Sequence, residues 1–137
     1  VAVTDSTTDA IDLDFSNLKI NHVKIKSAGN DCLDLSSGEY EINKINAENC
    51  GDKAISVGEK SKTVLKEVKV NVSNIAIAAK DSSFVKIYES QIYQSPICFS
   101  AYRKKQEFSG AKIEILKTNC KEENFYVQKG SKIILGL

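Results

Sequence analysis

The residues of this chain best equipped to do chemistry are five aspartates and two lysines set on a regular spacing. Asp31 follows Asp9 by 22 residues and Asp34 follows Asp12 by the same interval; Asp14 joins the acidic set, and Lys53 and Lys80 fall on the same grid. Stacked carboxylates repel one another, so such a spacing calls for a cation, a shared proton or a nearby lysine. Asp12, Asp14 and Asp34 would offer the all-oxygen ligand set that calcium takes. Lys53 or Lys80, acting as a base beside a held cation, is equipped to abstract a proton next to a carboxylate. All of this requires the intervening chain to bring the seven residues to one surface.

The intervening chain repeats on the same interval. Ala10, Cys32, Ala54, Ala76 and Cys98 stand 22 residues apart. Ile11, Leu33, Ile55, Ile77 and Phe99 follow at the next position, and Leu13, Leu35, Val57, Ala79 and Ala101 two further along. A second apolar group recurs in each period: Ile20, Val23 and Ile25, then Ile42 and Ile45, then Leu65, Val68 and Val70, then Ile87 and Ile92. The stretch Ile42-x-x-Ile45-x-Ala47-x-x-Cys50 also fits a leucine-rich repeat template. That reading leaves the Ile11 and Leu13 columns without a role, whereas a parallel β-helix uses every column as an inward strand position. The fold expected is therefore all-β: a right-handed parallel β-helix, or solenoid, of about six coils of 22 residues, with three sheets and no helix longer than about two turns. In the last period Cys120 falls on the column while Phe125, Val127, Ile133 and Leu135 have slipped, so the C-terminus is expected to form an edge or cap.

Alternation then fixes a polar face. With Ile11 and Leu13 inward, Asp12 and Asp14 point out. Asp12 is succeeded coil by coil by Asp34, Ser56, Ala78 and Ser100, and Asp14 by Ser36, Gly58, Lys80 and Tyr102, while the preceding turn carries Asp9, Asp31 and Lys53. One sheet face thus bears the five carboxylates with the lysines at their border.

The 137 residues suit one domain, 1–137, and 15 Ile, 10 Val and 8 Leu favour strands. Val1 at the start and the absence of methionine read as a piece excised from a longer chain, with further coils or an oligomeric partner expected at the N-terminal edge. Nineteen basic residues against eighteen acidic ones leave a net charge of +1, too little for a nucleic-acid footprint. No apolar run approaches the ~18 residues of a membrane span, and no signal-peptide pattern opens the chain. Four cysteines allow three full pairings, and their spacings of 18, 48 and 22 match no close-paired zinc pattern. Cys32 and Cys98 share a column three coils apart, ~14 Å, too far to bridge. His22, mid-strand and off the polar face, reads as an ordinary surface residue, and Arg103-Lys104-Lys105 as a solvated loop.

The segments Asn30-Asp31-Cys32-Leu33-Asp34-Leu35-Ser36 and Cys50-Gly51-Asp52-Lys53-Ala54-Ile55-Ser56-Val57-Gly58 resemble the DDC and GHGxSxG strands of the polygalacturonase glycosidases. Thr8-Asp9-Ala10-Ile11-Asp12 is similar to their NTDGID strand, and Ala78-Ala79-Lys80 sits where their RIK motif would fall. More of the chain, including Ala101-Tyr102-Arg103-Lys104-Lys105-Gln106-Glu107-Phe108, resembles bacterial right-handed β-helix repeat proteins of the pectate-lyase-like superfamily. The resemblance implies a bacterial surface or secreted, extracellular protein that handles polysaccharide, with Cys32 bonded to Cys50 as in those glycosidases. Asp9 and Asp31 match the water-activating pair of their inverting chemistry; Asn30 holds the place of the general acid, and Lys53 and Ala78 replace a histidine and an arginine. The expectation is a domain that binds or modifies an extended polysaccharide along the Asp/Lys face, as a binding module or as a lyase, epimerase or glycosidase. Its catalytic candidates are Asp9, Asp31, Lys53 and Lys80; its ligand-binding candidates are Asp12, Asp34, Ser56 and Tyr102; Asp12, Asp14 and Asp34 are the calcium set. The alternative is a non-catalytic structural or adhesin segment whose acidic ladder is merely solvated.

Overall fold

A computed structural model describes residues 1–136. The strands are β1 (Ala2–Ser6), β2 (Ile11–Asp14), β3 (Asn17–Ala28), β4 (Leu33–Ser36), β5 (Glu39–Cys50), β6 (Lys53–Gly58), β7 (Lys62–Asn71), β8 (Ile75–Lys80), β9 (Phe84–Tyr93), β10 (Ile97–Tyr102), β11 (Lys112–Thr118), β12 (Phe125–Val127) and β13 (Lys132–Leu135). A 3₁₀ turn at Glu122–Asn124 is the only helical element among the described residues. Odd-numbered strands β1 to β13 form one parallel sheet and even-numbered strands β2 to β12 another, so the chain alternates between sheets and winds a β-solenoid of about six turns. The register is the sequence repeat made physical: Ile11 pairs with Leu33, Leu33 with Ile55, Ile55 with Ile77 and Ile77 with Phe99.

The expected third sheet is absent as a separate entity, because each long strand turns a corner without breaking. In β5, Tyr40, Ile42, Ile45 and Ala47 are buried, so Asn43 and Lys44 face out in succession and the alternation shifts phase. The same happens at Lys66-Glu67 in β7. Asn21 and Asn43 stack at this corner through a 2.9 Å bond between their side-chain amides. The other two corners of each coil turn on left-handed residues in fixed columns. Phe15, Ser37, Glu59 and Asp81 form one column, with φ of 51°, 49°, 45° and 55°. Ser27, Asn49, Val72 and Gln94 form the other, at 68°, 56°, 67° and 54°. Close packing of coils at the second corner demands glycine: a Cβ on Gly51 would stand 2.2 Å from the carbonyl oxygen of Gly29.

Uniform 22-residue coils hold only for the first part of the chain. Ile87 pairs with Ile115, Phe99 with Phe125 and Ile113 with Ile133, which are steps of 28, 26 and 20 residues. The longest step accommodates a loop, 103–110, between β10 and the strand after it. Phe125 therefore takes the place in the Phe99 column, where the two rings meet edge to face at 5.1 Å. Cys120 lies off its expected column. Its neighbour Asn119 pairs its side-chain amide with both backbone groups of Ile92, each at 2.9 Å, in the manner of one more strand residue.

Leu33, Leu35, Ile55, Val57, Leu65, Ile77, Ile87, Phe99, Ile113 and Ile115 have no solvent exposure and form the continuous interior. Two disulfides, Cys32–Cys50 and Cys98–Cys120, with Cα atoms 5.4 and 6.5 Å apart, each tie the start of a short strand to the end of the following long strand within one coil. The first is the pairing implied by the glycosidase resemblance.

Two measurements check this architecture. Leu33→Asp or Ile55→Asp places a charge where no water or partner reaches it and should abolish cooperative folding; a soluble, cooperatively melting variant would mean the register is wrong by one. Reduction of the disulfides should lower stability by about 3 kcal/mol per bridge on loop-closure grounds, read from guanidinium melts with and without reductant.

Candidate functional site

The outward face of the even-numbered sheet gathers the chemically equipped residues. Asp12 faces Asp34, Asp34 faces Ser56, Ser56 faces Ala78 and Ala78 faces Ser100 across successive ladders. Ser36, Gly58, Lys80 and Tyr102 form the neighbouring column as expected. The small residues of this face are covered despite pointing outward: Ser56 and Ala78 are 0% exposed and Ser100 is 2% exposed. The partly exposed side chains around them, Asp34, Lys53, Lys80 and Tyr102, close over them. The result is a face on which polar side chains roof a row of small, solvent-excluded residues.

Gly58 is part of that construction. A Cβ there would stand 3.0 Å from Cε of Lys80, so the lysine stem lies directly over the glycine and reaches toward Asp34. No ion pair within 4.0 Å joins Lys80 to Asp34 among the described residues, and burial dominates both groups. It pushes the Asp34 carboxyl up to about 6, helped by Asp31, Asp12 and Asp9 and opposed by Lys80. Burial likewise holds Lys80 below the ordinary lysine range, reinforced by Lys53 and Lys104 against the pull of Asp34 and Asp31. Lys53 goes the other way. Burial works against its charge, but a 2.8 Å hydrogen bond to Asp52 and the negative charges of Asp31 and Asp52 outweigh it and hold the ammonium above its usual range. Burial also raises the Tyr102 hydroxyl, with Lys53 opposing.

The carboxylates that converge are Asp9, Asp31 and Asp34, each offering an oxygen within 4.8 Å of the others, rather than the expected trio Asp12, Asp14 and Asp34. Asp14 is drawn aside by a hydrogen bond from the Ser36 hydroxyl, and Asp12 stays exposed. Asp9 and Asp31 come in from the turn because the next coil supplies donors. Asp9 Oδ1 accepts the Asp31 N–H at 2.9 Å and the Asn30 side-chain amide at 2.8 Å, and Asp31 Oδ1 accepts the Lys53 N–H at 3.1 Å. Each thus uses Oδ1 to fasten one coil to the next and keeps Oδ2, an oxygen of the class calcium takes. Burial raises the carboxyls of Asp12 and Asp31; at Asp31 the Lys53 N–H and ammonium oppose it, and at both sites neighbouring aspartates add to it.

Sequence reasoning passed over Asp52, which neutralises Lys53, and Asp81, a 1% exposed carboxylate next to Lys80. Nothing in the sequence marked the second, whose column reads Phe15, Ser37, Glu59 and Asp81 and whose partners lie in the 103–110 loop. No family model, no curated protein and no solved structure matches this chain.

The raised Asp34 carboxyl carries a signed prediction. Its folded value of about 6 exceeds the unfolded value near 4, so between the two the folded state holds the extra proton and stability falls as pH rises. The loss is complete above about pH 6. Asp34→Asn should therefore stabilise the domain at pH 7.5 by on the order of 1–2 kcal/mol, allowing for solvent screening of a half-buried group, with the gain fading near pH 4. Urea melts at both pH values decide it; an equal gain at each would remove the electrostatic explanation.

Proposed function

We propose that this domain binds an extended polysaccharide along the outward face of the even-numbered sheet, as part of a secreted or surface protein. The observation that carries the reading is the row of partly exposed polar side chains, Asp34, Lys53, Lys80 and Tyr102, that one face presents on successive coils. Coils spaced ~4.8 Å apart present groups to a chain lying along the axis at intervals close to the length of a sugar ring. The ammonium groups suit sugar carboxylates, and the carboxylates and Tyr102 hydroxyl suit sugar hydroxyls. The two disulfides support an oxidising setting.

Binding fits the residues better than cleavage of the polygalacturonase kind. The place of the acid in that resemblance is taken by Asn30, an amide that donates to Asp9 and has no proton to deliver at neutral pH. A purely structural solenoid is the second reading, favoured by the hydrogen bonds through which Asp9 and Asp31 join coils.

The two readings separate on an array of acidic and neutral polysaccharides, followed by calorimetry of the strongest hit with and without calcium. The expected result is binding that the Asp12→Asn/Asp34→Asn double variant weakens at least ~10-fold, about 1.4 kcal/mol. Wild-type protein that binds nothing on the array, with a double variant that simply melts higher, would establish the structural reading instead.

A further inference from the structure

The polar face meets the 103–110 loop at Lys80, and Asp81 organises that junction. Its Oδ1 accepts the backbone N–H groups of Lys104 at 2.7 Å and Lys105 at 2.9 Å. The loop is pinned further by the Lys105–Glu59 ion pair, by the Ser82 and Ser109 hydroxyls 2.8 Å apart, and by Lys60 6.0 Å from the centre of the Phe108 ring. Under it lies a cavity of about 140 Å³ whose walls include Asp34, Gly58, Lys80, Asp81, Lys104 and Lys105.

The second carboxylate oxygen of Asp81, Oδ2, is buried and has no hydrogen-bond partner. A buried acceptor left without a donor is unfavourable. The solenoid does not need the carboxylate: Phe15, Ser37 and Glu59 make the same left-handed turn in earlier coils. Nor does the loop need both oxygens, because Oδ1 alone holds its two amides.

We propose that this cavity is a subsite for the hydroxyl-bearing edge of one uncharged sugar ring, with Asp81 Oδ2 accepting one hydroxyl as the loop yields and Lys80 and Lys104 donating to its neighbours. The proposal rests on the carbohydrate reading above. At ~30 Å³ per water the space holds roughly five waters, enough for one polar ring edge and too little for a polymer segment. An acceptor residue and ammonium-bearing residues lining one cavity complement a vicinal diol, in which one hydroxyl donates and the next accepts. The acidic groups Asp34, Glu59 and Asp81 balance Lys80, Lys104 and Lys105 around the cavity, which favours an uncharged ring over a phosphate or sulfate ester.

The test is residue-resolved NMR on the whole domain, titrated with the methyl glycosides of glucose, galactose and mannose and with their uronic-acid counterparts. Saturable shifts of the Lys104 and Lys105 amides are expected for at least one neutral glycoside. Asp81→Asn retains an oxygen for the loop amides but replaces the free acceptor with a donor, and should weaken that binding at least ~10-fold. Lys104→Ala removes an exposed side chain while keeping the latch amide, and should weaken it as well. Polysaccharide binding with shifts confined to Lys53 and Tyr102, or unchanged glycoside affinity in both variants, would overturn the subsite and leave the polysaccharide reading standing. Absence of any shift together with absence of polysaccharide binding would overturn both.

Discussion

The parallel backbone ladder between coils is the constraint on which the rest of this structure depends. Once Ile11 is hydrogen-bonded into register with Leu33, and Leu33 with Ile55, every other position of the coil is stacked on its counterpart ~4.8 Å away. A residue type is then chosen for a column, not for a place in a coil. Interior columns accept Ile, Leu, Val and Ala because stacked apolar side chains bury one another without voids. Corner columns accept whatever tolerates φ near +50°, which ranges here from serine to phenylalanine.

Stacking is indifferent to charge, and the acidic face shows how the fold lives with that. Asp9 and Asp31 avoid a bare stack of carboxylates by turning one oxygen each onto the backbone of the next coil. Asp34 has no such outlet and meets the neighbouring charges half-buried, so its proton affinity rises instead. Where the acids end, Lys53 and Lys80 begin, and Gly58 yields the space that lets Lys80 lean back toward them. The face is therefore one connected electrostatic object, built from columns whose members differ in sign.

The columns themselves were legible in the amino-acid sequence, because strand alternation and a constant period leave an arithmetic trace: the Ile11 and Leu13 columns, the outward Asp12 and Asp14 columns and the solenoid all follow from it. What broke the arithmetic was hidden. The corner at Asn43-Lys44 looks like an interruption between two strands, yet the backbone passes through it within β5. Alternation places Asp12 and Asp14 on the face, while the convergence of Asp9 and Asp31 with Asp34 depends on amides 22 residues away, which alternation does not show. Asp81 was invisible for a related reason: its partners Lys104 and Lys105 belong to an insertion that has no counterpart in the other coils.

The two disulfides run around the circumference of single coils and never from one coil to the next. Under tension this matters. A pull along the chain peels coils from an end by breaking ladder hydrogen bonds one rung after another, as in other one-dimensional repeat folds. It cannot extend the segments between the bonded cysteines, whose sequence separations are 18 and 22. At ~3.5 Å per residue, about 60 and 75 Å of contour stay locked inside closed rings. The domain is thus a rod with two inextensible hoops, and its reach under force is set by the redox state of its surroundings.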